Sequence, residues 1–225
     1  MLRKLAITID GPAGAGKSTI AKRVADKLSY TLIDTGAMYR SVTCAALLYE
    51  VDINNSDELA KLASKLEPSF KNTNIHYYIN KLYLTPFIRG LAVSGSVSEV
   101  STHKEVRNAL VDLQRKITNS SPNGSVMEGR DAGSTVLPNA DIKIYLTASV
   151  ETRAQRRLNQ LQKQGLTVSI AEIKKDIEKR DKIDSEREIS PLTIPDNALI
   201  IDSSHKSIED VVEIILNSVQ EEMEK

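Results

Sequence analysis

An α/β fold on a five-stranded parallel sheet flanked by helices is what this chain predicts, and three observations lead there. Short apolar runs rich in β-branched residues recur at positions 5–9, 31–33, 125–127, 142–146 and 198–201. Amphipathic helical stretches, such as 18–28 and 149–164, fill most of the space between them, and strands alternating with helices pack as a parallel sheet covered on both faces. The 225 residues, 40% of them hydrophobic, suffice for one such core and a small inserted subdomain.

The first strand leads into Gly11-Pro12-Ala13-Gly14-Ala15-Gly16-Lys17-Ser18-Thr19, which fits G-x-x-x-x-G-K-[ST] at every fixed position, after a strand and before a helix. Glycines let the backbone N–H groups turn inward round phosphates, and the helix that follows adds its positive N-terminal end. Lys17 is expected to reach the β- and γ-phosphates of a nucleoside triphosphate, and the Ser18 hydroxyl to coordinate Mg²⁺. A guanine-reading switch would need Asn-Lys-x-Asp; the nearest string, Asn80-Lys81-Leu82-Tyr83, lacks the aspartate. A small-molecule kinase is therefore favoured over a nucleotide-dependent switch, with the acceptor left open by the loop itself.

The second strand runs into Asp34-Thr35-Gly36-Ala37-Met38-Tyr39-Arg40. A polar loop at the carboxyl end of a parallel strand faces the same edge as the phosphate loop. Thr35 and Arg40 suit an acceptor phosphate there, and Asp34 suits Mg²⁺ or its waters. From Pro68 to Arg89 the rhythm breaks into a β-rich, turn-rich stretch carrying Phe70, Tyr77, Tyr78, Tyr83 and Phe87, read as a small antiparallel insertion.

The third strand runs into Glu128-Gly129-Arg130-Asp131, charged residues where burial is costly without a ligand or partner. A carboxylate at such an edge can accept from an exocyclic amine, as acidic residues do with the N4 amine of cytosine. The helix after the fourth strand carries Arg153, Arg156 and Arg157, a cluster able to stabilise a migrating phosphoryl group. On the next helix, 170–188, the apolar stripe of Ile170, Ile173 and Ile177 continues as Arg180, Asp184 and Arg187. Charged residues in the angular sector of buried isoleucines point to a ligand rather than to solvent. The last helix, from Ser207, turns Ile208, Val211, Val212, Ile215 and Val219 inward.

Bulk composition excludes other classes. Thirty basic and thirty acidic residues balance, arguing against a nucleic-acid or membrane-surface partner. Cys44 is the single cysteine, so no intrachain disulfide forms and no cysteine-based zinc site exists; it reads as a core residue. His76, His103 and His205 have no metal-like spacing. No apolar run matches a signal-peptide core or a membrane span, so a cytoplasmic monomer is expected.

Four strings, IDGPAGAGKST, LIDTGAMYR, MEGRDAGS and RDKIDSEREISPL, occur in that order across nearly the whole chain, and together they resemble the bacterial cytidylate kinases. The resemblance implies a single kinase domain: core at 1–40, 104–150 and 190–225, an acceptor-binding insertion at about 60–103 and a lid at about 151–168. It also implies ATP- and Mg²⁺-dependent phosphorylation of CMP and dCMP, with UMP a poorer acceptor. Carried over position by position, Thr35, Arg40 and Arg130 would contact the acceptor phosphate. Ser98, Arg107 and Asp131 would read cytosine, and Arg180, Asp184 and Arg187 would hold ribose and phosphate. Lys17, Arg130, Arg153 and Arg157 would form the catalytic group, the last two from the lid.

Overall fold

The computed structural model describes residues 4–71, 74–163 and 165–225. Gln164, the expected end of one helix, and Asn72 and Thr73 in the β-rich stretch lie outside the described residues. Five strands, β1 (Leu5–Asp10), β2 (Thr31–Asp34), β6 (Gly124–Gly129), β7 (Ile142–Thr147) and β8 (Leu199–Asp202), form one sheet in the order β2-β6-β1-β7-β8. Every pairing in it is parallel. Side chains alternate along β1. Leu5, Ile7 and Ile9 enter one core with α1 (Lys17–Leu28) and α8 (Ile208–Met223), while Thr8 and Asp10 point to the other face. That face carries the second core, built from α2 (Thr35–Leu48), α3 (Ser56–Ser64), α4 (Leu91–Val100) and α5 (Lys104–Ser120). Both faces are covered, as continuous apolar strands require.

The β-rich stretch is a three-stranded antiparallel sheet, β3 (Leu66–Lys71), β4 (Asn74–Ile79) and β5 (Leu82–Tyr83). It is shorter than the sequence suggests. Residues beyond Tyr83 turn and enter α4. Helix α2 carries the chain unbroken past position 40, where the core was expected to stop, because the run SVTCAALL continues its buried face.

Helices α6 (Val150–Lys163) and α7 (Ile170–Glu186) pack on each other over a small core of their own: Ala154, Leu161, Ile173 and Ile177. Ile170, counted in the inward stripe from sequence, is 38% exposed. Helix α7 starts with a reciprocal Ser169–Glu172 capping box. It stops at Arg187, whose extended backbone (φ −61°, ψ 139°) swings that side chain toward the sheet.

Candidate active site

All five parallel strands end on one edge of the sheet, and the loops there surround a cavity of about 1430 Å³. The phosphate loop forms one wall. Gly11 sits at φ 147°, and a Cβ there would lie 2.0 Å from the Leu146 carbonyl oxygen, so only glycine lets the loop cross β7 this closely. Lys17 lies back on its own loop, donating to the Pro12 carbonyl at 2.8 Å. Burial, with Arg130 nearby, pushes its ammonium below the usual lysine range, against the opposing pull of Glu128 and Asp184.

The loop is braced from outside. Arg153 donates to the carbonyls of Ala13 (2.9 Å) and Ala148 (3.0 Å) and pairs with Asp181, whose other oxygen accepts from the Ala13 N–H at 3.1 Å. Arg156 holds the Ala15 carbonyl at 3.1 Å and the Ser203 carbonyl at 2.7 Å. Arg156 and Arg157 line the cavity, whereas Arg153 is buried behind the loop and does not. The expected transfer-stabilising arginine at 153 is thus placed as a strut, and Arg157, which donates to Gln160 on its own helix at 2.8 Å, stays at the cavity wall.

The opposite wall collects the charged residues predicted from the strand ends and from α7. Arg130 pairs with Asp184 at 2.7 Å. Asp131 is held by Arg107 and, at 3.2 Å, by Arg187. Arg107 also lies over the Tyr39 ring, 5.5 Å from its centre. Ser98 is buried on α4 and lines the cavity beside this group. Arg40 donates to Ser94 Oγ (2.8 Å) and to the Ile88 carbonyl (3.3 Å), contacts from the insertion side. Burial, then the neighbouring charges of Arg180 and Arg89, push it down to about 10. Arg180 is lowered by burial and by Arg130, and its Nε is buried without a hydrogen-bond partner. Like charges crowded on one buried wall are unfavourable until an anion arrives.

Two residues expected at the site are engaged by protein partners. Asp34 is engaged elsewhere: one oxygen caps α2 by accepting from the Ala37 N–H at 2.8 Å, and the other pairs with Arg89 at 3.0 Å. The carboxylate beside Ser18 is Glu128, which accepts the Ser18 hydroxyl proton. Burial pushes Glu128 well above the carboxylate range, and the charge of Asp34 adds to that. Thr35 donates its hydroxyl proton to the Glu128 carbonyl at 2.8 Å, so toward any anion it offers its backbone and no free O–H. Among the described residues no cluster of three or more His, Cys, Asp or Glu is placed to hold a metal. Asp10, Asp181 and Arg89 had no assigned role. Their partners lie 28 to 168 residues away, and no local pattern marks them.

Comparison with known proteins agrees with this geometry. A sequence profile described as cytidylate kinase matches residues 7–221. The chain is 49% identical over 211 residues to a cytidylate kinase of Alkaliphilus oremlandii, covering 94% of this chain and 95% of that protein. It is 44% identical over 223 residues to the cytidylate kinase of Bacillus subtilis, covering 98% and 99%. Among solved structures, a gluconokinase from Sinorhizobium meliloti aligns with a TM-score of 0.50 at 11% identity, over 99% of this chain and 96% of that one, a likeness of fold alone. The chain belongs to the cytidylate kinase family.

Proposed function

We infer that this chain transfers the γ-phosphoryl group of ATP to CMP or dCMP, giving ADP and the corresponding diphosphate. The observation that carries the reading is the excess of buried cations facing the phosphate loop. Arg40 is depressed by burial and by Arg180, and Arg180 by burial and by Arg130; an acceptor phosphate among them would relieve that repulsion. Asp131, oriented by Arg107 and Arg187, offers a carboxylate to the N4 amine of cytosine. Ser98, which lines the same cavity, would join Asp131 in reading cytosine, and Arg180, Asp184 and Arg187 would hold ribose and phosphate.

No strong base is needed, since the acceptor phosphate is already anionic. The protein's task is to bring two polyanions into line and exclude water. Lys17, freed from Pro12, neutralises the transferred group, and Arg130 and Arg157 meet the charge spread over it. Arg153 contributes by holding the loop's shape. The Ser18 hydroxyl and Glu128 carboxylate form a hard-oxygen pair that suits Mg²⁺, an ion that keeps most of its waters. Bound there, Mg²⁺ would offset charge on the triphosphate. Helix α6, which falls within the lid expected at about 151–168 and carries Arg157, serves as the lid. Balanced charge argues against a nucleic-acid partner, and no helix among the described residues is long and apolar enough to cross a membrane.

An assay coupled to ADP formation, run with CMP, dCMP, UMP and AMP, tests the reading. CMP and dCMP are expected to react fastest. A preference for AMP, or ATP binding without any diphosphate product, would overturn it.

A further inference from the structure

The segment that presents Asp131 is anchored from within the sheet. β1 ends at Asp10, which is fully buried. Its two oxygens accept from the backbone N–H groups of Ala132 at 2.8 Å and Gly133 at 2.7 Å, the two residues directly after Asp131. These open a five-residue π-turn, Ala132–Val136. The far end of that turn is held by Arg115, which donates to the carbonyls of Thr135 (3.1 Å) and Val136 (2.9 Å). The fit at the Asp10 end is close: a Cβ on Gly133 would stand 2.6 Å from Thr8 Oγ1 and 3.3 Å from Asp10 Oδ2. Asp10 also immediately precedes Gly11 of the phosphate loop.

We propose that Asp10 is a positioning residue for acceptor selectivity: by clamping the Ala132 and Gly133 amides, it fixes the Asp131 carboxylate relative to the phosphate loop. The proposal rests on Asp131 contacting the acceptor base. A hydrogen-bonded carboxylate discriminates between bases only if its oxygens are held to a fraction of an ångström, and Arg107 and Arg187 alone restrain Asp131 from one side. Asp10 restrains its backbone from the other. The carboxylate is retained against desolvation, with Asp131 opposing its charge and Lys17 supporting it. A packing role would be filled by an apolar side chain at lower cost.

Asp10→Asn tests this. The amide can accept from one of the two N–H groups but sets its own NH₂ against the other. At pH 8, KM for CMP should rise about tenfold and the preference for CMP over UMP should fall by a similar factor, the loss of one hydrogen bond to a charged group. Kd for ATP alone should stay within twofold. Amide exchange at Ala132 and Gly133 should quicken in the full-length protein without nucleotide. Equal losses for CMP and ATP, or intact selectivity in a folded variant, would overturn the proposal. If Asp10→Asn does not fold, Gly133→Ala perturbs the same contact from the loop side and should give the same split. Failure of both to fold would make Asp10 a folding residue and reject the idea. If the wild-type protein phosphorylates no cytosine nucleotide, the functional reading fails instead, and unchanged amide exchange in Asp10→Asn would then reject the clamp.

Discussion

The two walls of the cavity are built on different principles. The donor wall is backbone: one unbroken string, Gly11 to Ser18, whose shape comes from glycines and which is braced by Arg153 and Asp181 from outside the cavity and by Arg156 at its wall. The acceptor wall is side chains drawn from α2, α4, β6 and its following turn, α5 and α7, joined in pairs such as Arg107–Asp131 and Arg130–Asp184. A backbone cradle grips any triphosphate and is indifferent to the base. A mosaic of paired charges can be tuned to one acceptor, and each member depends on the others.

Substitutions should therefore separate the walls. Lys17→Met removes a side chain placed at the transferred group, and kcat should fall about 10²–10³-fold whichever nucleotide is varied. A smaller loss would mean that the arginines, rather than the loop lysine, carry the transferred charge. Arg157→Ala should lower kcat roughly tenfold or more with little change in melting temperature. Arg153→Ala should instead raise KM for ATP and lower melting temperature, because it takes the ion pair from half-buried Asp181 and the donor from the buried Ala13 carbonyl. If the two variants behaved alike, the distinction between strut and cavity residue would be lost.

Asp10 gives a pH test. Burial raises its pKa from 3.8 to about 6, against the two backbone hydrogen bonds that lower it. The folded state then binds the proton more tightly than the unfolded state, so this group's contribution is most favourable below pH 3.8 and declines as pH rises to about 6. Denaturation of wild type and Asp10→Asn between pH 4 and 7 should show the variant gaining up to about 3 kcal/mol relative to wild type. A difference that does not vary with pH would place Asp10 near an ordinary pKa. The smallest effect belongs to Arg89→Ala. Its pair with Asp34 is more than half exposed on the arginine side, so stability should change by about 1 kcal/mol or less.

The same contrast explains what was legible in the sequence. The phosphate loop could be read because its chemistry is contiguous, and the strand ends because β-branched runs stop at charged residues. The inward turn of Arg180 and Asp184 followed from helical spacing, whereas Arg187 reaches the site through the extended backbone that ends α7. Partners could not be read. Helical spacing places Arg153 and Arg157 on one face, yet it is contact with Ala13 and Asp181 that turns the first into a brace. Asp34 looked suited to a metal because it follows a strand, but the same position makes it the N-cap of α2, and that local bond wins. Glu128 stood in the string already singled out, and only the fold brings it to Ser18 across 110 residues.

The claim that acceptor and donor walls are separable is tested most directly at Asp131. Asp131→Asn keeps the shape but replaces one accepting oxygen with an NH₂ that faces the cytosine amine and the two arginines. Kd for ATP and kcat/KM for CMP, measured on the same preparation, should diverge: ATP binding within twofold of wild type, CMP use down by about 10²-fold. Equal loss of both would show that Asp131 supports the fold as a whole, and the two-wall account would be contradicted.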